Sequence, residues 1–377
     1  MKKIGNHIEQ YATAQADSAG VAGLIATLQR NGVPVRSAAI AAPKPKYIDF
    51  ANPHKHLPCI SLEWLVGARG FQSGKILQIR AQQGRYAEAF MLLQYDMGSL
   101  LARAHLIHVG TGGALPDAGH VADSACDPQK LMIIESQSLD EGFAHVDKAV
   151  RGIRGHRPGE SVGSMLRNPV HPDMQSPVIV GFCSPDAIGN GSFAMPEASD
   201  AGPEPARELD RFLGNRVLWL RETQTFMMLA TSLQAPVLSH ADYVISLSSA
   251  PRRNGGRGAL LCDVVKAGPF ENGLKPKRRQ LSLYLVSGHG FDLVKTDWEF
   301  LSRHPESPFP ATGKNQLYRD SRGITCKAFG SKPFKSEEDF LRAFYGNTDM
   351  LMTMREKMKI RGCGFDFEHQ HDMQCSV

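Results

Sequence analysis

Long apolar runs are missing from the sequence, and their absence excludes a membrane-spanning helix. No stretch of about 18 uninterrupted apolar residues occurs in the chain. Two lysines follow Met1, but no apolar region follows them, so we expect no secretory signal. The seven cysteines are odd in number and scattered, and no CxxC pair occurs. We therefore expect reduced thiols, mostly packed in the core of a cytoplasmic protein.

A strong excess of one charge is also missing. The 377 residues carry a formal net charge of +5, with 21% charged and 42% hydrophobic residues. This composition is that of an ordinary globular chain and excludes a fibrous or wholly disordered protein. A mildly basic balance is compatible with a polyanionic partner, but it identifies none.

The apolar pattern predicts an α/β fold. Residues 59–66 form either a short helix or a pair of strands, and helices are expected within 87–104 and over 139–153. Buried strands are expected at the following ranges: 75–80, 105–110, 130–136, 177–183, 225–233, 241–249, 259–267 and 279–286. Because strands alternate with helices and then follow one another directly, we expect a largely parallel, twisted sheet with an antiparallel extension.

Four segments are expected along the chain. Residues 1–32 read as a helical element, 33–58 as an extended linker, 59–300 as the core, and 301–377 as a C-terminal segment with a flexible tail. Two short helices are expected within 336–361, capped by Ser336 and hinged at Gly346 and Asn347. The stretches 155–176 and 184–207 are rich in Pro, Gly, Ser and Asp, which is typical of surface loops.

The order of these segments resembles the RecA family of recombinase ATPases, with the phage UvsX branch as the nearest relative. Residues 60–79 (ISLEWLVGARGFQSGKILQI) are similar to the family's lead-in and first core strand. Residues 177–183 stand where the family has its Walker B strand, and later strands such as FMMLATSL and ADYVISLSS follow in the family's order. Residues 314–358 resemble the UvsX carboxy-terminal segment. The resemblance implies a RecA-like core and a role in DNA recombination, repair or replication.

The nucleotide-binding motif of that family is degenerate here. A P-loop follows the pattern G-x-x-x-x-G-K-[ST], in which backbone N–H groups and the lysine bind phosphates and the hydroxyl binds Mg²⁺. In this chain Ala81 replaces the first glycine, the loop is shortened before Gly84, Arg85 replaces the lysine, and Tyr86 replaces the hydroxyl residue. Arginine does not mimic the compact ammonium of lysine at such a position.

Two further parts of the catalytic machinery are missing. The Walker B strand ends in Gly181, Phe182 and Cys183 where the family has an acid, and the nearest carboxylate is Asp186 beyond a proline. Thr111 stands where the family's catalytic carboxylate is expected. We therefore expect a protein without catalytic residues, metal or other cofactor, although binding of ATP–Mg²⁺ without hydrolysis stays open.

Basic residues cluster at two predicted turns. Phosphate contact, preferentially with single-stranded DNA, is one interpretation of these clusters, and solvated loop charge is the other. Lys266 resembles the lysine that RecA-type subunits extend toward a neighbour's nucleotide, and the alternative is a strand-end lysine without that role. The residues of the two turns are Arg252, Arg253 and Arg257, and Lys275, Lys277, Arg278 and Arg279.

Three functions remain open from the sequence. The first is a catalytically inactive recombination protein, cytoplasmic in a bacterial host if phage-encoded, that binds DNA or an active recombinase. Its residues 1–58 have the organisation with which the resembled family assembles head to tail, so a homo-oligomer or filament is expected. The alternative is an N-terminal helix that folds back on its own core. The second is a self-assembling scaffold. The third is a divergent DNA-dependent ATPase that uses Arg85 and Asp186.

Overall fold

The chain divides into two units, Met1–Lys44 and Pro45–Val377, and the described residues all lie in the second. Most of the predicted loops 155–176 and 184–207, the predicted N-terminal helix 1–32 and the predicted tail after 360 lie outside the described residues. The computed structural model describes residues 47–52, 55, 57–101, 103–111, 131–153, 176–183, 204–250, 259–267, 279–286, 290–305, 307, 309, 316–330 and 332–360.

Five short elements precede the main sheet. They are β1 (Tyr47–Asp49), β2 (Ala51–Asn52), β3 (Leu57–Pro58) and helix α1 (Ile60–Val66), and β4 (Gly70–Gln72) follows α1. Strand β1 pairs antiparallel with β4, and the side chains of Ile48 and Phe50 are buried. The described part of the predicted linker 33–58 is therefore folded onto the core, and the 59–66 segment is a helix rather than a pair of strands.

A mixed sheet with the strand order β13-β12-β11-β10-β5-β9-β8-β6-β7 forms the centre of the protein. The six strands from β10 to β7 run parallel, and β11, β12 and β13 extend the sheet antiparallel beyond β10. The predicted parallel sheet with an antiparallel extension is confirmed. The strands are β5 (Ile76–Ala81), β6 (His105–Thr111), β7 (Leu131–Ser136), β8 (Val178–Cys183), β9 (Thr225–Ser232), β10 (Tyr243–Ser249), β11 (Ala259–Ala267), β12 (Arg279–Val286) and β13 (Gly290–Phe291).

Helices cover both faces of this sheet. One apolar cluster joins α1, α2, α6, α7 and α8 to one face, which includes Leu77 and Ile79 of β5. The other joins α3, α4 and α5 to the opposite face, which includes Ile76. The helices after α1 are α2 (Gly84–Leu101), α3 (Leu139–Ile153), α4 (Glu204–Gly214), α5 (Val217–Glu222), α6 (Leu293–Arg303), α7 (Glu337–Gly346) and α8 (Thr348–Lys357).

Local sequence signals explain the elements that match their predicted bounds. All six residues of β8 are buried, as expected for a central parallel strand between two helical layers. Helix α3 begins after Ser138, whose Oγ accepts from the Glu141 amide at 3.2 Å, while the Glu141 carboxylate accepts from the Gln137 amide at 2.7 Å. These two bonds satisfy amides that a helix start leaves without intrahelical partners.

Helices α4, α5 and α6 were not predicted. Helix α4 begins at Glu204, inside the range 184–207 that was predicted to be a loop, so the last four residues of that range are corrected to helix. The prolines at 203 and 205 favour a loop by composition, yet they stand at the helix start, where proline is tolerated. Composition alone therefore misread a helix start as a loop.

The C-terminal segment is joined to the core through one apolar cluster. Two short strands, β14 (Leu317–Asp320) and β15 (Gly323–Cys326), form a hairpin before α7. The predicted cap is confirmed, because Ser336 Oγ accepts from the Asp339 amide at 3.1 Å and the Asp339 carboxylate accepts from the Ser336 amide. The Asn347 side chain caps α8, which confirms the hinge between the two helices. Phe340 and Met354 are buried in the cluster that contains α1 and α2.

Within the described part of the chain, no helix has both the length and the apolar character needed to cross a membrane.

Candidate functional site

The candidate site lies at the carboxyl edge of the parallel strands. The connection that leaves β5 runs through α2 on one face of the sheet, whereas the segment that leaves β9 packs Leu238 on the other face. Strands β5 and β9 are neighbours in the sheet. Where adjacent parallel strands send their connections to opposite faces, the crevice outside their carboxyl ends is the usual ligand site of an α/β sheet.

The turn between β5 and α2 is too short for a phosphate-binding loop. Only Gln82 and Gln83 separate Ala81, the last residue of β5, from Gly84, the first residue of α2. The Tyr86 amide donates to the Gln83 carbonyl oxygen at 3.0 Å, so the helix begins tightly. A P-loop spans a motif of about eight residues, whose backbone amides surround the phosphates. The turn therefore has fewer residues than a P-loop.

Hydrogen bonds tie this turn to β10. The Ser249 amide donates to Gln82 Oε1 at 2.9 Å, and Ser249 Oγ lies 3.0 Å from the Tyr86 hydroxyl oxygen. The Gln82 amide donates to the Leu247 carbonyl oxygen at 2.8 Å. The side chain of Tyr86, which the sequence places at the Mg²⁺-binding position of a P-loop, is thus buried and directed to a neighbouring strand.

Two arginines flank the same turn. Arg85 is exposed, its Nε donates to Gln83 Oε1 at 2.7 Å, and its guanidinium carbon lies 5.4 Å from the centroid of the Tyr86 ring. Arg80 of β5, which the sequence reasoning did not single out, donates to the Leu233 carbonyl oxygen. Burial lowers the pKa of Arg80. Arg80 lies at the crevice because it stands on β5 opposite Thr231 of β9. No sequence motif indicates this position.

A buried thiol occupies the last position of β8. Cys183 is 2% exposed, and its Sγ lies 3.5 Å from Met91 Sδ of α2. Burial, with a smaller contribution from the Glu88 carboxylate, raises the pKa of Cys183 to about 12. The thiol therefore stays protonated at neutral pH, whereas metal binding needs the thiolate.

Glu88 is a buried acid that the sequence reasoning missed. It lies on α2, one turn after Gly84, and is 4% exposed. No sequence motif pointed to Glu88, because the acid of a Walker B motif is expected at the end of a strand, whereas Glu88 lies on a helix. Among the described residues, no group of three or more His, Cys, Asp or Glu side chains is arranged to hold a metal ion.

Below the edge, Tyr95 of α2 packs against Gly181 of β8. A Cβ at Gly181 would lie 2.2 Å from the Tyr95 hydroxyl oxygen, so the close approach requires glycine. That hydroxyl donates to the Ile107 carbonyl oxygen at 3.1 Å and lies 3.3 Å from Nδ1 of His108. Burial lowers the pKa of His108 to about 4. These contacts fix α2 on β6 and β8 by packing.

Arg279, predicted as a phosphate-binding residue, is engaged inside the protein. It is the first residue of β12, and its guanidinium donates to the Trp64 carbonyl oxygen near the end of α1. The same guanidinium carbon lies 5.6 Å from the centroid of the Trp64 ring. Gly67, with φ of 76°, ends α1 beside it. The contact satisfies one of the carbonyls that a helix end leaves without an intrahelical partner.

Lys266 lies at the opposite edge of the sheet from Arg85. It is registered with Val244 near the amino end of β10, and its Nζ donates to the Ser239 carbonyl oxygen at 3.1 Å. Arg85 and Ser249 lie at the carboxyl edge. Within one chain the lysine is thus remote from the β5–α2 turn.

The remaining predicted site residues lie outside the described residues. The strands that flank them still define where their loops begin. The β10–β11 connection starts at the carboxyl edge, where the Ala250 amide donates to the Ala259 carbonyl oxygen at 3.1 Å. The β11–β12 connection starts at the opposite edge. The undescribed site residues are Asp186, Arg252, Arg253, Arg257, Lys275, Lys277 and Arg278.

Comparison with known proteins identifies no relative of this chain: no protein-family model matches it, and no curated protein matches it significantly.

Proposed function

We propose that this protein is a catalytically inactive RecA/UvsX-like protein that acts in DNA recombination, repair or replication. It binds DNA, preferentially single-stranded, or an active recombinase, and it assembles head to tail. Support for the RecA-like core comes from the central position of β5, from the helix α1 that precedes it, and from the antiparallel strands beyond β10. The closed β5–α2 turn is the observation that carries the loss of catalysis.

Three features of the carboxyl edge argue against ATP hydrolysis. The turn holds only Gln82 and Gln83, the lysine position is occupied by Arg85, and the Walker B-like strand ends in the buried, protonated thiol of Cys183. Phosphoryl transfer depends on a metal ion and on a positioned cation that together stabilise the developing charge. This set of side chains supplies neither a metal-binding carboxylate on β8 nor a compact ammonium group at the turn.

Strand β7 favours assembly between copies of the chain. Among the described strands it is the last one of the sheet, and its side chains Met132 and Ile133 are 45% and 47% exposed. Exposed apolar residues on an edge strand mark a surface that another strand can join, and proteins usually protect such edges. In the resembled family, an extended linker adds a strand to the neighbouring subunit. Residues 33–46 of a second copy are the proposed occupant.

Electron microscopy with light scattering tests this proposal. The purified protein is examined with and without single-stranded DNA, and each sample with and without ATP–Mg²⁺. We expect polymers that require DNA, ignore ATP and dissolve at high salt, because phosphate contacts release counterions. ATP-dependent assembly, or a monomer under all four conditions, contradicts the proposal.

The second candidate function is a scaffold that assembles without any ligand. The exposed apolar side chains of Met132 and Ile133 on β7 are the observation that favours it. Polymers that form without DNA and without ATP would favour the scaffold. Ile133→Lys tests the edge in both cases, because a charge in the paired strand opposes burial. Leu218→Lys on α5 is the matched control, since Leu218 is also an exposed apolar residue. We expect Ile133→Lys to abolish polymers and Leu218→Lys to leave them intact.

A further inference from the structure

The β5–α2 turn is bound by the protein itself at the place where a nucleotide phosphate would enter. Gln82 and Tyr86 stand on the two sides of Gly84, and both contact Ser249 of β10. One contact uses the Ser249 amide and the other uses its hydroxyl. Because these are independent groups, the two hydrogen bonds together fix both the position and the orientation of the end of β10.

We propose that Gln82, Tyr86 and Ser249 form an internal clamp that closes this edge and replaces a bound phosphate in holding β5, α2 and β10 together. The inference rests on the proposed function, of which it explains one part. In a phosphate-binding turn, backbone amides donate to the ligand. Here the Gln82 amide donates to Leu247, and the Tyr86 amide donates to Gln83. Those donors are therefore satisfied within the chain.

Burial supports the clamp. Tyr86 is 6% exposed although its hydroxyl is polar, and its partner Ser249 is the exposed last residue of β10. A hydroxyl that is buried without a partner is destabilising, so the Tyr86–Ser249 bond makes the observed burial possible. The Leu233 amide also donates to the Ala81 carbonyl oxygen at 3.0 Å, which ties the end of β5 to the segment after β9. The turn is thus held from both neighbouring strands.

The clamp also determines where the β10–β11 connection begins. Ala250 follows Ser249 directly, and its amide donates to the Ala259 carbonyl oxygen. The hydrogen-bonded pair Ala250–Ala259, which joins the end of β10 to the start of β11, is therefore one residue away from the clamp. In this protein we expect Ser249 and Ala250 to be held in place whether or not a ligand is bound.

Hydrogen–deuterium exchange of the peptide that contains Ser249 tests the clamp in the full-length protein. Gln82→Ala removes the acceptor of the Ser249 amide, and we expect exchange to accelerate about tenfold. Gln82→Glu retains an acceptor oxygen and should preserve the slow exchange. Tyr86→Phe keeps the ring and should accelerate exchange less, since it removes only the hydroxyl bond. Gln280→Ala, at an exposed position of β12, is the matched control and should leave Ser249 unchanged.

ATP–Mg²⁺ and magnesium pyrophosphate are then added to the wild-type protein as probes. We expect neither probe to change the exchange at Ser249 or the melting temperature. Exchange that is slowed by either probe, or a Gln82→Ala variant that exchanges like wild type, overturns the clamp. DNA-dependent polymers that persist in such a case would leave the proposed function intact. Loss of DNA binding with an intact clamp would reject the proposed function alone.

Discussion

The guanidinium of Arg355 on α8 binds both carboxylate oxygens of Glu63 on α1. Arg355 Nε lies 2.7 Å from Glu63 Oε2, and Nη2 lies 2.5 Å from Oε1. The side chains are 12% and 1% exposed. This bidentate pair joins the C-terminal helical pair to the lead-in helix, and removal of one partner leaves the other charge buried without compensation.

Replacement of Arg355 by Ala should therefore destabilise the protein strongly. We expect the free energy of unfolding to fall by about 3–5 kcal/mol, measured by urea denaturation above pH 7, where the Glu63 carboxyl is ionised. Arg342→Ala is the matched control, because Arg342 pairs with Glu338 at the surface of α7 and such pairs contribute less than about 1 kcal/mol. Equal losses in the two variants would show that the buried pair has no special role.

The pH dependence of stability should report His108. Its pKa falls from 6.5 to about 4 on burial, so between these values the unfolded chain binds a proton that the folded chain does not. The stability associated with neutral His108 is complete above pH 6.5 and is lost as pH falls toward 4. We expect His108→Gln to lose less stability than wild type over this window, with a difference of at most about 3 kcal/mol.

The pKa of Glu63 shifts in the opposite direction to that of His108, so its effect on the pH dependence of stability must be controlled separately. Burial raises its pKa from 4.5 to about 7, so its contribution is complete below pH 4.5 and is lost as pH rises through 7. Comparison of wild type with His108→Gln cancels this term, since both proteins retain Glu63. Parallel pH profiles of the two proteins would contradict the account of His108.

Gly181→Ala should disturb the packing between β8 and α2. The new Cβ would meet the Tyr95 hydroxyl oxygen at 2.2 Å, and Tyr95 is itself fully buried. We expect a loss of about 1–3 kcal/mol in the free energy of unfolding, because overpacking shifts the buried ring. Addition of Tyr95→Phe should restore part of that loss by removing the clashing atom.

Gly152→Ala is the matched control for this substitution. Gly152 lies in the last turn of α3, and a Cβ at this position would meet no atom of the described residues within 4 Å. There, alanine should leave stability unchanged or raise it by up to about 1 kcal/mol, since glycine is a poor helix former. A stabilised Gly181→Ala variant would show that the contact with Tyr95 is not tight.

Strands and long helices could be predicted from the sequence because their signals are local. Continuous apolar runs give β8, β9 and β11, and the spacing of Val146 and Val150 gives α3. Helix α6 was missed although its cap, Asp292, is a standard signal: its side chain accepts from the Lys295 amide at 2.9 Å. The short strand β1 carries too few residues to show a period.

The candidate site was harder to predict because its contacts are remote in sequence. The absence of a P-loop is visible in residues 81–86, but the partner of Tyr86 is Ser249, which no motif connects to it. Arg279 reads as one member of a basic turn, yet its partner Trp64 lies on another element. The sequence thus indicated that the P-loop motif is missing. The hydrogen bonds found at these residues join positions far apart in the sequence, so no local pattern predicts them.

DNA binding and ATP hydrolysis can be followed together in one experiment. Fluorescence anisotropy of a labelled single strand and phosphate release are recorded in the same sample with ATP–Mg²⁺. We predict salt-dependent binding that is unchanged by ATP, with no phosphate release above that of the Arg85→Ala variant. Phosphate release that requires the single strand and disappears in Arg85→Ala would contradict the account.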